Sequence, residues 1–155
     1  MLAADQLTKS VAESHLKIGQ PRHVVGTVFL DLTLNSGAAF SLGRGVTPVV
    51  ETVVVVLIAG LVLFGRRAAR TATVPVAAGI GLLLGGAAGN LVDRLFRHNN
   101  GAVVDFIDIL RVGHRDLWPV FNVADAAIVV GALTLVLAYS RRAPGTKAAD
   151  RADRA

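Results

Sequence analysis

The sequence predicts an α-helical integral membrane protein with a small β-sheet on one side of the bilayer. The chain has 155 residues, of which 53% are hydrophobic and 17% are charged, and its mean hydropathy is +0.57. It contains three apolar segments of about 20 residues, the length that crosses a bilayer. A fourth segment alternates with the period of a β-strand. We expect one domain over residues 1–140, with three complete transmembrane helices, a shortened first helix and an extracytoplasmic cradle of strands.

The amino-terminal segment, residues 1–16, predicts part of a helix that is too short to cross a membrane. Four residues precede Asp5, and this stretch has neither the basic start nor the long apolar run of a signal peptide. We interpret it as the remnant of a first helix that is normally longer, or as a shortened form.

Residues 20–45 predict the outer sheet. Apolar and other side chains alternate here, with Val28, Leu30, Leu32 and Leu34 on one face and Phe29, Asp31, Thr33 and Asn35 on the other. This period of two is that of a strand with one buried face.

The three predicted spans are residues 46–64, 71–92 and 117–140. The second span contains no charged residue up to its end and is rich in glycine and alanine, which allow helices to approach closely in lipid. Residues 96–116 should lie at the outer interface, where they are a candidate mobile lid. The arginines of residues 65–70 and the basic tail 141–155 are expected on the cytoplasmic side.

Composition excludes several classes of function. The net charge of +5 arises from arginines scattered among apolar spans, so no nucleic-acid surface is expected. The chain has no cysteine, which excludes disulfides and a catalytic thiol, and its four histidines form no H-E-x-x-H pattern. We expect neither a metal nor another cofactor.

Two aspartates, Asp105 and Asp125, lie in strongly apolar sequence without an adjacent basic residue. A carboxylate is costly in such surroundings and usually has a function there. Helix geometry places Asp125 about 22 Å from the cytoplasmic end of its span and Asn90 about 24 Å from the start of the preceding one. Both residues then lie at the same depth near the outer surface, together with Arg94 and Asn122.

Paired carboxylates could share a proton and act as general acid and base. From spacing alone, Asp108 could serve as well as Asp105. An Asn90 near a helix end could be an ordinary cap. Asn35 with Gly37 could be a simple turn. We expect Asp93 to form an interfacial ion pair with Arg94, and Glu51 has no explanation beyond pairing with Arg44 or facing water.

Five blocks of this chain resemble, in order, those of the bacterial lipoprotein signal peptidases, also called signal peptidase II. They are Asp5-Gln6-Leu7-Thr8-Lys9, Asn35-Ser36-Gly37-Ala38-Ala39-Phe40, Gly89-Asn90-Leu91-Val92-Asp93-Arg94, Val103-Val104-Asp105-Phe106-Ile107 and Phe121-Asn122-Val123-Ala124-Asp125. The resemblance implies an aspartic endopeptidase with four transmembrane helices and a β-cradle. It implies cleavage of prolipoproteins just before a cysteine that carries a diacylglyceryl group.

The resemblance also assigns residues. It implies that Asp105 and Asp125 are the catalytic pair and that Asp5 and Lys9 support the site structurally. The residues that it implies for the lining of the site are Asn35, Asn90, Arg94 and Asn122, and the backbone that begins at Gly37 is available to bind an extended peptide by strand addition. The enzyme is then expected in the cytoplasmic membrane as a monomer, with its active site near the outer leaflet and with lipid-modified prolipoproteins and membrane lipids as partners.

Other functions remain open from the residues alone. Buried carboxylates also relay protons in small transporters, and polar residues hold helices together in membrane scaffolds. A serine protease built on Ser36, Ser41 and Lys9 is a weaker alternative, because no G-x-S-x-G element is present.

Overall fold

The computed structural model describes residues 1–36, 47–68, 72–113 and 115–141, without the side chains at 47–54, 57, 64 and 68. These residues form helices and short strands. Their order is α1 (Leu2–His15), β1 (Arg22–Val25), β2 (Val28–Asn35), α2 (Thr47–Ala68), α3 (Val74–Phe96), β3 (Val103–Asp108), β4 (Arg111–Val112), β5 (Arg115–Asp116) and α4 (Val123–Ser140).

Within the described ranges, α3 and α4 are long and apolar enough to cross a membrane. Their 23 and 18 residues correspond to about 34 and 27 Å, against a hydrocarbon layer of about 30 Å. The predicted span at 46–64 is also helical, as part of α2. Its crossing of the membrane stays a prediction.

Glycines allow α3 and α4 to pack closely. A Cβ placed on Gly86 would lie 2.5 Å from the carbonyl oxygen of Ala124, and one on Gly131 would lie 2.8 Å from that of Gly79. Side chains at these positions would force the helices apart. The small residues of the second predicted span therefore form a helix interface, as expected in lipid.

The predicted strand at Val28–Asn35 is present as β2, the central strand of an antiparallel sheet in the order β1-β2-β3. One face of this sheet packs on the end of α1. The apolar cluster between them consists of Ala12, Leu16, Leu32, Val104 and Phe106. Strand β3 occupies the predicted interfacial segment, and β4 pairs with β5 as a separate small hairpin.

Several helix boundaries differ from the sequence prediction, and two of these differences lie next to the sheet. Helix α4 begins at Val123 instead of residue 117, because Asn122 is its N-cap and Phe121 pairs with Ile107 of β3. Helix α3 continues to Phe96 instead of residue 92. Both differences place polar residues on the terminal turns of helices, at the end of the bundle next to the sheet.

Candidate active site

Asp105 lies in β3 and is only 1% exposed. Its carboxylate accepts two hydrogen bonds from side-chain amides. Asn122 donates through Nδ2 to Oδ1 at 2.6 Å, and Asn35 of β2 donates through Nδ2 to Oδ2 at 3.0 Å. The strand pairing of β2 and β3 and the start of α4 together therefore fix this carboxylate.

Asp125 lies in the first turn of α4, where it forms a capping box with Asn122. The Asp125 N–H donates to Oδ1 of Asn122 at 2.9 Å, and the Asn122 N–H donates to Oδ2 of Asp125 at 3.2 Å. Its other oxygen, Oδ1, accepts from Nδ2 of Asn90 at 2.7 Å. Both oxygens of the Asp125 carboxylate therefore accept hydrogen bonds.

Asn122 connects the two aspartates. Its Oδ1 caps α4 beside Asp125, while its Nδ2 donates to Asp105. The backbone just before it is attached to β3, because Phe121 and Ile107 exchange hydrogen bonds of 2.8 and 3.0 Å. The structure thus brings together the two aspartates that the sequence singled out, with the fully buried Asn122 between them.

The environment of Asp105 disfavours its charged form. Burial raises its pKa, and the hydrogen bond from Asn35 lowers it, while the negative charge of Asp125 raises it further. Asn122 and the more distant charge of Lys9 lower the pKa. Burial dominates, and the pKa is raised to about 6.

A fully buried lysine, Lys9 of α1, orients Asn90. Its Nζ donates to Oδ1 of Asn90 at 2.9 Å, and it forms ion pairs with Asp5 at 3.0 Å and Asp93 at 2.8 Å. These three acceptors match the three hydrogens of an ammonium group. With Oδ1 of Asn90 facing Lys9, the Nδ2 group faces Asp125.

Asp93 does not form the ion pair predicted from sequence. It pairs with Lys9 and with Arg97 at 3.0 Å, one turn further along α3, instead of with Arg94. It also accepts from Nε2 of Gln6 at 2.9 Å and from the Val104 N–H at 3.0 Å. Residues four apart on a helix share a face, so Asp93 meets Arg97, whereas the adjacent Arg94 points in another direction.

The strand geometry separates Asp108 from Asp105 and Asp125. Successive side chains of a strand point to opposite faces, so Asp105 and Asp108, three residues apart, lie on different faces of β3. Asp108 is fully buried and lies 3.4 Å from Nε of Arg111, on the far side of the sheet. From spacing alone Asp108 was an alternative to Asp105, but in the strand its side chain lies on the face away from Asp125.

Arg94 is half-buried, and its guanidinium donates to the Asn90 carbonyl oxygen at 3.4 Å. Both residues line one end of a cavity of about 450 Å³ between α2, α3 and α4. The remaining lining is apolar and consists of Ile58, Leu61, Leu83, Ala87 and Ile128. The cavity therefore adjoins Asp125 through the side chain of Asn90.

Some predicted positions lie outside the residues that the structure describes. Gly37 and Ser41 lie beyond the described residues, as does the side chain of Glu51. Over the described ranges, no group of three or more histidines and acids could hold a metal ion.

Comparison with known proteins decides the family. A family model described as signal peptidase (SPase) II matches residues 1–141. The lipoprotein signal peptidase of Rhodococcus jostii is 44% identical over 142 residues, which cover 88% of this chain and 67% of that protein. The corresponding protein of Mycobacterium avium is 44% identical over 138 residues, with 88% and 72% coverage.

The chain belongs to the signal peptidase II family. It is accordingly an aspartic protease, as the resemblance in its five blocks implied.

Two solved structures described as bacterial membrane enzymes share the fold of this signal peptidase. They have TM-scores of 0.77 and 0.78, are 29% and 28% identical, and match 89% and 95% of this chain and 86% and 87% of theirs. The signal peptidase fold is thus that of a membrane enzyme, in agreement with the two apolar helices α3 and α4.

Proposed function

We propose that Asp105 and Asp125 form the catalytic dyad with which this signal peptidase II removes signal peptides from prolipoproteins. The observation that carries the proposal is the position of Asn122, which hydrogen-bonds to Asp105 and caps α4 beside Asp125. Two carboxylates joined in this way, of which Asp105 is almost fully buried, resist double ionisation. They favour a state that shares one proton, which is the state that acid and base catalysis requires.

The proposed reaction uses one water and the single proton of the dyad. Asp125, at the start of α4, takes a proton from the water as the water oxygen attacks the scissile carbonyl carbon. Asp105 donates its proton to the carbonyl oxygen, which gives a neutral tetrahedral intermediate. When the C–N bond breaks, the proton on Asp125 goes to the leaving amine and the hydroxyl proton returns to Asp105, so the dyad is regenerated.

The cavity beside Asn90 fits an apolar part of the substrate. Its volume and mostly aliphatic lining suit a signal-peptide segment or an acyl chain, and its polar end leads toward Asp125. Arg94 supplies donors there for backbone carbonyls of the bound peptide. The resemblance adds Gly37 as a backbone position beside an extended substrate.

The proposal places the enzyme as a monomer in the cytoplasmic membrane, with the dyad near the outer leaflet. The site then meets a prolipoprotein after its signal peptide has inserted. Cleavage is proposed just before a cysteine that carries a diacylglyceryl group, without a metal or other cofactor. Support comes from the family membership and from the clustering of polar residues at the sheet end of α3 and α4.

The test is cleavage of a lipid-modified precursor by purified enzyme in vesicles. Asp105→Asn and Asp125→Asn should each lower kcat by at least about a thousandfold, because one carboxylate cannot serve as both acid and base. Asp116→Asn, an aspartate 37% exposed on β5, is the control and should retain activity. Turnover near the wild-type rate in either dyad variant rejects the assignment.

The same preparation tests the lipid requirement. A precursor with a diacylglyceryl-modified cysteine should be cleaved, and an identical peptide with a free cysteine should be cleaved much more slowly. Equal rates for the two peptides would remove lipid recognition from the proposal while leaving the dyad intact.

A further inference from the structure

Strand β2 contains a β-bulge close to the dyad. Asp31 and Leu32 of β2 together stand opposite a single residue of β3, Phe106. Beyond this bulge, Thr33 is opposite Asp105. A bulge of this kind shifts all following side chains of a strand by one position.

The bulge determines which face of the sheet carries Asn35. Directly opposite residues share a face, and so do alternate residues within a strand. Thr33 and Asn35 therefore lie on the face of Asp105, where the Asn35 amide donates to its carboxylate. A regular ladder without the bulge would place Leu32 opposite Asp105 and Asn35 on the other face.

The apolar core selects the bulged register. Leu32 is 6% exposed and packs in the cluster that includes Ala12, Val104 and Phe106. A slip to the regular ladder would move Leu32 out of this cluster and Thr33 into it. Register is strongly specified wherever one face of a strand is buried in this way.

The extra residue of the bulge is itself anchored. Asp31 forms an ion pair with Nη2 of Arg111 at 2.9 Å, and both side chains are about one-tenth exposed. The backbone N–H of Arg111 donates to the Thr27 carbonyl oxygen at 3.0 Å. The guanidinium also lies 5.6 Å from the ring of Phe29. These contacts hold the bulged residue at the far side of the sheet from the dyad.

We infer that this bulge is a positioning device, in which the burial of Leu32 sets the register that presents the Asn35 amide to Asp105. Leu32 is then a positioning residue that touches neither substrate nor dyad, and Asp31 is the extra residue that the bulge accommodates. The inference rests on the proposed catalytic role of Asp105. It adds to that role a reason why a residue on the opposite face of β2 matters for the reaction.

The loss of Asn35 from the site has an electrostatic signature. The groups that act on Asp105 are the amides of Asn35 and Asn122, the carboxylate of Asp125 in α4 and the ammonium of Lys9 in α1. Removal of the Asn35 hydrogen bond raises the pKa of Asp105, because that bond stabilises the charged form. The alkaline limb of kcat/KM should then move to higher pH, a change that general instability does not produce.

The first test exchanges two neighbouring residues without changing composition. In the variant Leu32→Thr with Thr33→Leu, the regular ladder buries the leucine and turns Asn35 away. We expect kcat/KM on the acid side of its alkaline limb to fall up to about tenfold, as the loss of one hydrogen bond does, with the alkaline limb displaced upward as in Asn35→Ala. Adding Asn35→Ala to the exchanged variant should have little further effect.

Cysteine pairs report the register without using activity, since the chain has no native cysteine. Leu34 is opposite Val104 in the bulged register and would be opposite Val103 in the regular one. Leu34→Cys with Val104→Cys should oxidise to a disulfide in the wild-type background. Leu34→Cys with Val103→Cys should do so in the exchanged variant.

Deletion of Asp31 removes the bulge but keeps the register of the residues that follow it. Without Asp31, a regular ladder places Leu32 opposite Phe106 and still leaves Thr33 opposite Asp105. This shorter strand should keep activity within a few-fold of wild type and keep its alkaline limb in place. It also decides the inference if the exchanged variant does not fold.

Three outcomes overturn the inference. The first is an exchanged variant with a slipped register and an unchanged pH profile. The second is an exchanged variant that loses activity without a slip of register. The third is an Asp31 deletion that behaves like Asn35→Ala. If the proposed dyad assignment is wrong, Asp105→Asn retains turnover. The cysteine pairs still report the register in that case, so the two failures can be distinguished.

Discussion

The Asn122 amide performs two tasks with its two ends. Its oxygen accepts the Asp125 N–H at the start of α4, and its nitrogen donates to the Asp105 carboxylate. An aspartate here could cap the helix but would repel the dyad, and a serine would cap it without reaching β3. The identity of residue 122 is therefore determined by the dyad as much as by the helix.

The pH dependence of cleavage is a prediction at the scale of this residue pair. If the active dyad carries one proton, kcat/KM should fall about tenfold per pH unit above the pKa of Asp105, which is about 6 in the free enzyme. The limb in kcat should lie at higher pH, because bound substrate removes further water from Asp105. Initial rates at subsaturating and saturating precursor across pH 5 to 9, in vesicles of constant composition, measure both limbs. A kcat/KM that rises steadily through this range contradicts the one-proton state.

The raised pKa of Asp105 also makes the stability of the fold depend on pH. The pKa of Asp105 is higher in the folded protein than its ordinary value of 3.8, so the folded state binds more protons between these values. The contribution of Asp105 to stability is most favourable below about pH 4 and declines as pH rises to about 6. Loss of activity in Asp105→Asn should therefore occur without loss of the fold at neutral pH.

At the scale of elements, helix α3 serves as the contact surface for both α1 and α4. A Cβ on Gly89 would lie 2.5 Å from Oδ2 of Asp5 and 3.3 Å from the Cβ of Ala124. Hydrogen on Gly89 thus leaves room for the carboxylate that pairs with Lys9. The glycine-rich pattern predicted close helix packing, but the sequence did not show which glycine borders a charged group.

Gly89→Ala should weaken the enzyme by displacing Asp5. We expect a loss of about 1–3 kcal/mol of stability, typical of overpacking at a well-packed position, and reduced cleavage because Lys9 loses an aligned partner. Thermal unfolding in detergent and precursor cleavage measure the two effects. Gly81→Ala is the matched control on the same helix, since a Cβ there meets nothing within 4 Å. Equal behaviour of the two variants would contradict the steric argument.

Helix ends were less predictable than helix centres. Apolar length located α3 and α4, but it extended the last span back to residue 117, whereas α4 begins at Val123. The missing information was tertiary, because Phe121 pairs with β3 and Asn122 caps the helix only after the sheet has formed. The bounds of strand β2 were predictable because apolar and other side chains alternate in its sequence, but the predicted apolar face is divided at the bulge, which puts Leu30 and Leu32 on opposite faces. Its bulge depends on β3 and is invisible in the sequence of β2 alone.

At the scale of the whole molecule, one buried network joins three helices. Lys9 in α1 pairs with Asp5 and Asp93, and Asp5 also accepts the Ala124 N–H at the start of α4 at 3.0 Å. The sequence predicted that Asp5 and Lys9 support the site. It did not predict Asp93 and Gln6 as partners, because that requires the packing of α1 on α3.

Lys9→Met tests this network. Removing one member of a buried ion cluster leaves its partners uncompensated and typically costs about 3–5 kcal/mol, so we expect a large loss of thermal stability. Cleavage should fall further than stability explains, since the Asn90 amide oxygen loses Lys9, the charged one of its two donors, and keeps only Asn122, so its Nδ2 group is held less firmly toward Asp125. Lys17→Met, an exposed lysine just after the same helix, should change neither property. Wild-type cleavage by folded Lys9→Met would show that Asn90 is oriented without Lys9.

The burial of Lys9 also constrains the order of events during biosynthesis. Helix α1 leaves the ribosome long before α3. Lys9 pairs with Asp5 on its own helix, but its second partner, Asp93, is near the end of α3. Until α3 arrives, Lys9 must stay hydrated at the membrane surface, because a charge with incomplete pairing is expensive in hydrocarbon. We therefore expect α1 to leave the aqueous surface only as it packs against α3. The same packing brings the Lys9 ammonium to the Asn90 amide, which donates to Asp125, so a chain whose α1 has not yet packed should not cleave membrane peptides.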